Sequence, residues 1–171
     1  MKRNLNTSRL ITIAFFIALE IILTRFLSIS TPILRIGFGF LPVAMNGILF
    51  GPLWAAGAYA LGDILGMMIF PSGPYFPGFT LTAFLTGLTY GLILHNHPVT
   101  WKRVLLASSI VCILINLGLD TLWLYIMMDD AVAALIPARI AKAVIMLPVQ
   151  VILIPAVWNR LLSKVKFIQT A

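Results

Sequence analysis

A chain of 171 residues that is 61% hydrophobic and 10% charged, with a mean hydropathy of +1.05, is too apolar for a water-soluble domain, where about half the residues are apolar. The composition asks for a bilayer, and the lone Cys112 excludes both a disulfide framework and a cysteine-rich metal site. A net charge of +7 suits nucleic acid in a soluble protein, but here the cations are distributed as membrane topology requires.

A transmembrane helix needs about 20 mostly apolar residues, and six runs qualify, at 8–27, 34–50, 53–70, 79–95, 103–128 and 138–162. Lys2, Arg3 and Arg9 lead into the first. It carries Glu20 and Arg25, exceeds a typical signal core and lacks a small-x-small cleavage site, so it reads as a retained helix. Ala14 and Ala18 in "IAFFIALE" form a small-x-x-x-small strip on which another membrane helix can lie. The second run opens near Arg35. The third holds Asp63 and a small-residue stripe of Ala58, Gly62 and Gly66, which lets a neighbour approach closely.

Between the third and fourth runs lies "FPSGPYFPGFTLTAF", in which Pro71, Pro74, Pro77, Gly73 and Gly78 forbid one continuous helix. Tyr75, Phe76 and Phe79 sit on this stiff corner, which suits a preformed wall for a flat ring better than a lipid anchor. Pro77-Gly78 leads to Thr80 and Thr82 in the first turn of the fourth helix. There the unpaired N–H groups face an outer cavity or the threonines cap the helix. A second stripe of Ala83, Gly87 and Gly91 follows. His95 and His97 in "HNH" have no cysteine or carboxylate nearby with which to hold a metal.

Lys102 and Arg103 precede the fifth run, which carries Asp120 four residues after Asn116, and Trp123 and Tyr125 near its outer end. These two aromatics read either as an interfacial belt or as part of a site. The sixth begins with Arg139 and Lys142 and ends with Arg160, Lys164 and Lys166. An even number of helices puts the three basic groups on one side, the cytoplasm, with both termini. The expected fold is therefore an all-α integral membrane bundle of six helices, one membrane domain spanning 1–171.

Four cations, Arg25, Arg35, Arg139 and Lys142, fall at the outer ends, where topology gives them no reason. They snorkel to headgroups or pair with Asp129 and Asp130, or else they surround an outward cavity that attracts an anion. In the second case Arg139 and Lys142, three apart on one helical face, can grip the same carboxylate. Glu20, Asp63 and Asp120 lie within spans, where a charge costs at least about 2.5 kcal/mol and normally faces the bundle interior. Asp63 and Asp120 serve either as internal struts or as acceptors for a bound polar ring; for Glu20, near Thr24 and Arg25, an internal pair is the simpler role. There is no G-x-x-x-x-G-K-[ST] for ATP, no Ser/His/Asp set and no H-E-x-x-H, so neither an enzyme nor a self-powered pump is expected, and no cofactor. A pocket without an engine implies a partner.

The N-terminal "AFFIA", "RIGFGFLP" with "GILFGP", "PSGPYFPGFTLTAFLTG" with its G-x-x-Y-G, and "PARIAK" together resemble the substrate-binding S components of energy-coupling factor vitamin transporters. Among these the chain looks most like the folate subfamily, over nearly its whole length. The resemblance implies high-affinity capture of a vitamin outside the cell and association with one transmembrane coupling subunit and two cytoplasmic ATPases, without nucleic acid. It implies a plasma-membrane location among lipids, and gives Ala14 and Ala18 the contact with the coupling subunit. For folate, a pterin ring would offer donors to Asp63 or Asp120. The aminobenzoyl ring would lie against Phe76, Phe79 or Trp123, and the glutamate tail would meet Arg25, Arg35, Arg139 or Lys142. Other readings remain at this stage: an S component for pantothenate, a small carrier with Glu20, Asp63 and Asp120 as a proton relay, and a structural membrane protein with no tight ligand.

Overall fold

The computed structural model describes residues 7–30, 35–71, 75–128 and 136–160. Lys2, Arg3, Asp129, Asp130, Lys164 and Lys166 lie outside them, as do Gly73 and Pro74 of the corner and the side chain of Arg35. The elements run in the order α1 (Thr7–Arg25), β1 (Ser28–Ser30), β2 (Arg35–Gly37), α2 (Phe40–Phe50), α3 (Pro52–Ile69), α4 (Pro77–Leu94), then α5 (Trp101–Ser109), a π-helical segment (Ile110–Leu119) and α6 (Asp120–Met128), and finally α7 (Ile136–Arg160). Among the described residues, five helices are long and apolar enough to cross a membrane: Thr7–Arg25, Pro52–Ile69, Pro77–Leu94, Trp101–Met127 and Ile136–Arg160.

The second expected helix, 34–50, is shorter than its sequence suggested. Residues 35–37 instead pair antiparallel with 28–30, in the register Ser28↔Gly37, Ile29↔Ile36 and Ser30↔Arg35. Glycines make this approach possible. A Cβ on Gly37 would sit 2.7 Å from the Ser28 Cβ, and one on Gly39 would collide with the Thr24 hydroxyl. What remains, α2, has 11 residues and at 1.5 Å per residue spans only about 16 Å. It is the centre of the bundle: every residue but Leu41 and Leu49 is buried, and α1, α3, α4 and α7 all pack against it.

Gly51, at φ 92, turns the chain sharply from α2 into α3, whose first residue is Pro52, a residue suited to a helix start because its missing N–H would be unpaired there anyway. Arg9, expected among the cations ahead of the first helix, is instead inside α1 and buried. Its Nη2 donates to the Phe50 carbonyl at the end of α2, 3.0 Å away, and its guanidinium lies 5.2 Å from the ring centres of both Phe50 and Trp54. A cation at a helix C-terminus meets the negative end of the dipole. His95 Nδ1 donates to the Ile48 carbonyl at 2.9 Å in the same region, and His97 Nδ1 donates to the His95 carbonyl at 2.8 Å.

The two small-residue stripes have different partners. Gly87 and Gly91 press α4 onto the backbone of α3 at Ala55, Ala56 and Pro52, whereas Gly62 and Gly66 leave room for the Glu20 and Arg25 side chains of α1. Further along, Tyr90 donates to Gln150 Oε1 at 2.8 Å, and the Cys112 thiol meets the same oxygen at 3.5 Å. This buried polar knot ties α4, the π segment and α7 together.

Candidate ligand site

Two polar clusters lie at one end of the bundle, where α1 and α3 end and α4 and α7 begin. In the first, α1, α3 and α4 converge. Thr80 donates to Asp63 Oδ2 at 2.8 Å and accepts from the Tyr75 hydroxyl at 3.0 Å. Glu20 is buried and accepts from Thr24 at 2.9 Å; with Asn46 and Tyr59 it lines a small gap between α1, α2 and α3. The Arg25 guanidinium lies over Gly66, one turn beyond Asp63, where a Cβ would come within 3.1 Å of it.

The second cluster joins the start of α4 to α6 and α7. Phe76 stands edge-on to Phe79, centroids 6.1 Å apart, and tilted against Trp123 at 5.8 Å. Gly78 is wedged between them, since a Cβ there would be 2.6 Å from Trp123 Cδ2. Trp123 Nε1 donates to the buried Thr82 hydroxyl at 3.1 Å. The two outer aromatics thus part company. Trp123 points inward, while Tyr125 is exposed as a belt residue would be. Neither Thr80 nor Thr82 caps α4, whose N-cap is Phe76 with no side-chain hydrogen bond.

At the centre of this cluster, Arg139 Nη2 lies 3.7 Å from Asp120 Oδ2, with side chains 8% and 17% exposed. The same nitrogen donates to the Asn116 carbonyl at 2.9 Å. The π segment supplies that carbonyl. Its wide turns send the Asp120 N–H to Ile115 rather than Asn116, so the Asn116 oxygen is not committed to Asp120 as an α-helix would require. Lys142 is half-buried on the same face of α7 and its charge also acts on Asp120, as does the Thr82 hydroxyl. In the folded chain the carboxylate that Arg139 meets is therefore Asp120. Even so, among the described residues Asp120 Oδ1 and Arg139 Nε are buried without hydrogen-bond partners.

Of the residues singled out in the sequence, the fold brings Phe76, Phe79, Thr82, Asp120, Trp123, Arg139 and Lys142 into one neighbourhood and holds Arg25 and Asp63 in the adjoining one. Ala14 and Ala18 are exposed on the opposite side of α1 from its buried Ile13, Phe16 and Glu20. Sequence reasoning missed the π segment and the Asn116 carbonyl, for which no residue pattern exists, and the Tyr75–Thr80–Asp63 chain. That chain had a signal, because a threonine in a first helical turn can reach a buried acid on the neighbouring helix.

Aromatic rings, a buried ion pair and outlying cations can hold a flat polar ring and an anionic group. The fold and this cluster define a membrane-embedded binding protein built as a helical bundle. The family model described as "ECF transporter, substrate-specific component" matches residues 8–158, and the chain belongs to that family of transport proteins, which are not themselves enzymes. Its relatives include the "Folate transporter FolT" of Clostridium novyi (strain NT), 54% identical over 150 residues that cover 88% of this chain and 87% of the relative. The protein of the same name from Leuconostoc mesenteroides subsp. mesenteroides is 35% identical over 153 residues, 86% and 82% of the two chains. Among solved structures, "Crystal structure of FolT bound with folic acid" superposes with a TM-score of 0.84 at 39% identity, covering 90% of this chain and 94% of that one.

Proposed function

We propose that this chain is the folate-capturing subunit of an energy-coupling factor importer in a bacterial plasma membrane. The observation that carries the reading is the packing of Phe76 on Trp123, which donates to Thr82, next to the Asp120–Arg139 pair, whose Asp120 lies three residues before Trp123 on the same helix, in a chain similar over most of its length to folate transporters. In this reading the pterin ring lies near Trp123 and Asp120, the aminobenzoyl ring near Phe76 and Phe79, and the glutamate tail toward Lys142, Arg25 and Arg35. The chain crosses six times with both termini in the cytoplasm, α2 and the hairpin before it making the second crossing. Transport requires a transmembrane coupling subunit, docked on Ala14 and Ala18, and two ATPases that supply the energy.

The test is binding of folic acid to detergent-purified protein, followed through tryptophan fluorescence, with pantothenate as control. Stoichiometric folic acid binding with quenching that is lost in Trp123→Phe supports the assignment. Binding of pantothenate alone, or of neither compound by folded, ligand-free protein, overturns it. Uptake driven by a pH gradient without any ATPase would favour the carrier reading instead.

A further inference from the structure

We infer that Asp120 and Arg139 together read the lactam edge of the bound ring, where an N–H stands beside a C=O, and thereby select 4-oxo over 4-amino pteridines; this rests on the folate reading above.

The argument starts from two atoms. Asp120 Oδ1 and Arg139 Nε are buried and lack hydrogen-bond partners among the described residues, although each side chain is otherwise engaged, Asp120 with Arg139 and Arg139 with Asn116. Buried polar groups are nearly always paired in a finished structure, so an acceptor and a donor left open beside aromatic rings are groups that a ligand can complete. The two atoms are chemically opposite. An ionised carboxylate oxygen only accepts, and a guanidinium N–H only donates. Carried by the two partners of one ion pair, they offer a ligand one acceptor and one donor.

The complement is a donor next to an acceptor on one edge of a planar molecule. The N3–H and C4=O of a 4-oxo pteridine have that order, with the proton going to Asp120 and the carbonyl to Arg139. In a 4-amino pteridine the ring nitrogen is an acceptor and the exocyclic group a donor, so acceptor would face acceptor and donor would face donor. Turning the ring over restores the match but swings the tail, attached on the far side, away from its original direction. A ring turned over in this way would carry the tail away from Lys142, Arg25 and Arg35, where the folate reading places its carboxylates, and would forfeit those contacts. Neither partner is free to swap its role either. Arg139 donates to the Asn116 carbonyl and a guanidinium has no acceptor to offer, while Asp120, paired with that guanidinium, meets it as an acceptor.

The experiment compares folic acid with its 4-amino analogue, otherwise identical, by titration calorimetry on the unmodified detergent-purified protein. Binding weaker by on the order of 100-fold or more for the analogue is expected, because a site built on hydrogen bonds rejects a mismatched partner strongly. Asp120→Asn and Arg139→Lys should each shrink that ratio by about tenfold or more, a change that general loosening of the site would not produce. Equal affinities on the unmodified protein would overturn the lactam reading and leave folate capture standing. Failure of both compounds to bind to folded protein would remove both readings. The unmodified comparison decides the matter even if the variants do not fold.

Discussion

α4 is two helices in one. From Ala83 to Leu94 it is a packing device: Tyr90 and Leu94 are fully buried, and a Cβ on Gly91 would fall 2.6 Å from the Pro52 nitrogen, so α3 and α4 meet backbone to backbone. From Pro77 to Thr82 it meets its neighbours through polar and aromatic side chains, Thr80 with Asp63 and Thr82 with Trp123. The difference lies in what can move. A backbone contact inside a membrane bundle has no slack, whereas ring and hydroxyl contacts can re-form around a guest. One helix can therefore be rigid where it anchors and adaptable where it binds.

The largest effect should come from breaking the rigid half. Gly91→Leu would drive a side chain into the Pro52 and Gly51 backbone, beyond the usual overpacking cost of about 3 kcal/mol because no rotamer escapes it. Folded protein should fail to accumulate in the membrane, as size-exclusion chromatography of solubilised material would show. A monodisperse, folic acid-binding Gly91→Leu protein would mean that the two halves do not differ as described.

Next in size is the removal of an acid from the binding half. Asp120→Ala leaves Arg139 buried opposite no carboxylate, at a cost of about 3 kcal/mol, and should lower the melting temperature by roughly 10 °C on that basis. The double variant Asp120→Ala with Arg139→Met should recover most of the stability while leaving folic acid binding weak. Recovery of both would show the pair to be a strut alone. A smaller effect is expected at Gly78. The groups that an added Cβ would meet are the Phe76 and Trp123 rings rather than backbone, so Gly78→Ala should fold and melt within a few degrees of the parent. Its folic acid affinity should fall by about tenfold as the rings are displaced. A parental affinity would separate those rings from the ligand.

The same contrast explains what could be read in the sequence. Small residues at steps of four announce close helix approach whatever their partner, so the Gly87 and Gly91 stripe was legible as structure and the fold supplies its partner in α3. The apolar runs also gave most of the helix positions. The second was misjudged at its start because Arg35 to Gly39 is apolar enough to extend a helix, and only pairing with Ser28–Ser30 turns it into a strand. Arg9 looked like a topological charge since nothing local reveals that its side chain reaches the end of α2. Site residues were legible as a set, because buried charge and outward aromatics are costly without a role. Their pairing was not. Whether Arg139 meets Asp120 depends on the π segment, and wide helical turns follow from tertiary packing rather than from a residue pattern.

The smallest expected effect on binding belongs to a surface neither half of α4 touches. Ala14 and Ala18 are exposed on α1 alongside Ile11 and Phe15, while Ile13 and Phe16 on the same helix face the core. Replacing both alanines by tryptophan adds bulk on the outer side only, with no buried neighbour to displace, so stability and folic acid affinity should stay within about twofold of the parent. Uptake by cells that contain the coupling subunit and ATPases should nevertheless be lost, because two large side chains hold a partner helix away from a strip that small residues leave flat. Reduced affinity would show that the outer face of α1 communicates with the site. Undiminished uptake would mean that the coupling subunit docks elsewhere, and the exposed alanines would then be ordinary lipid-facing residues.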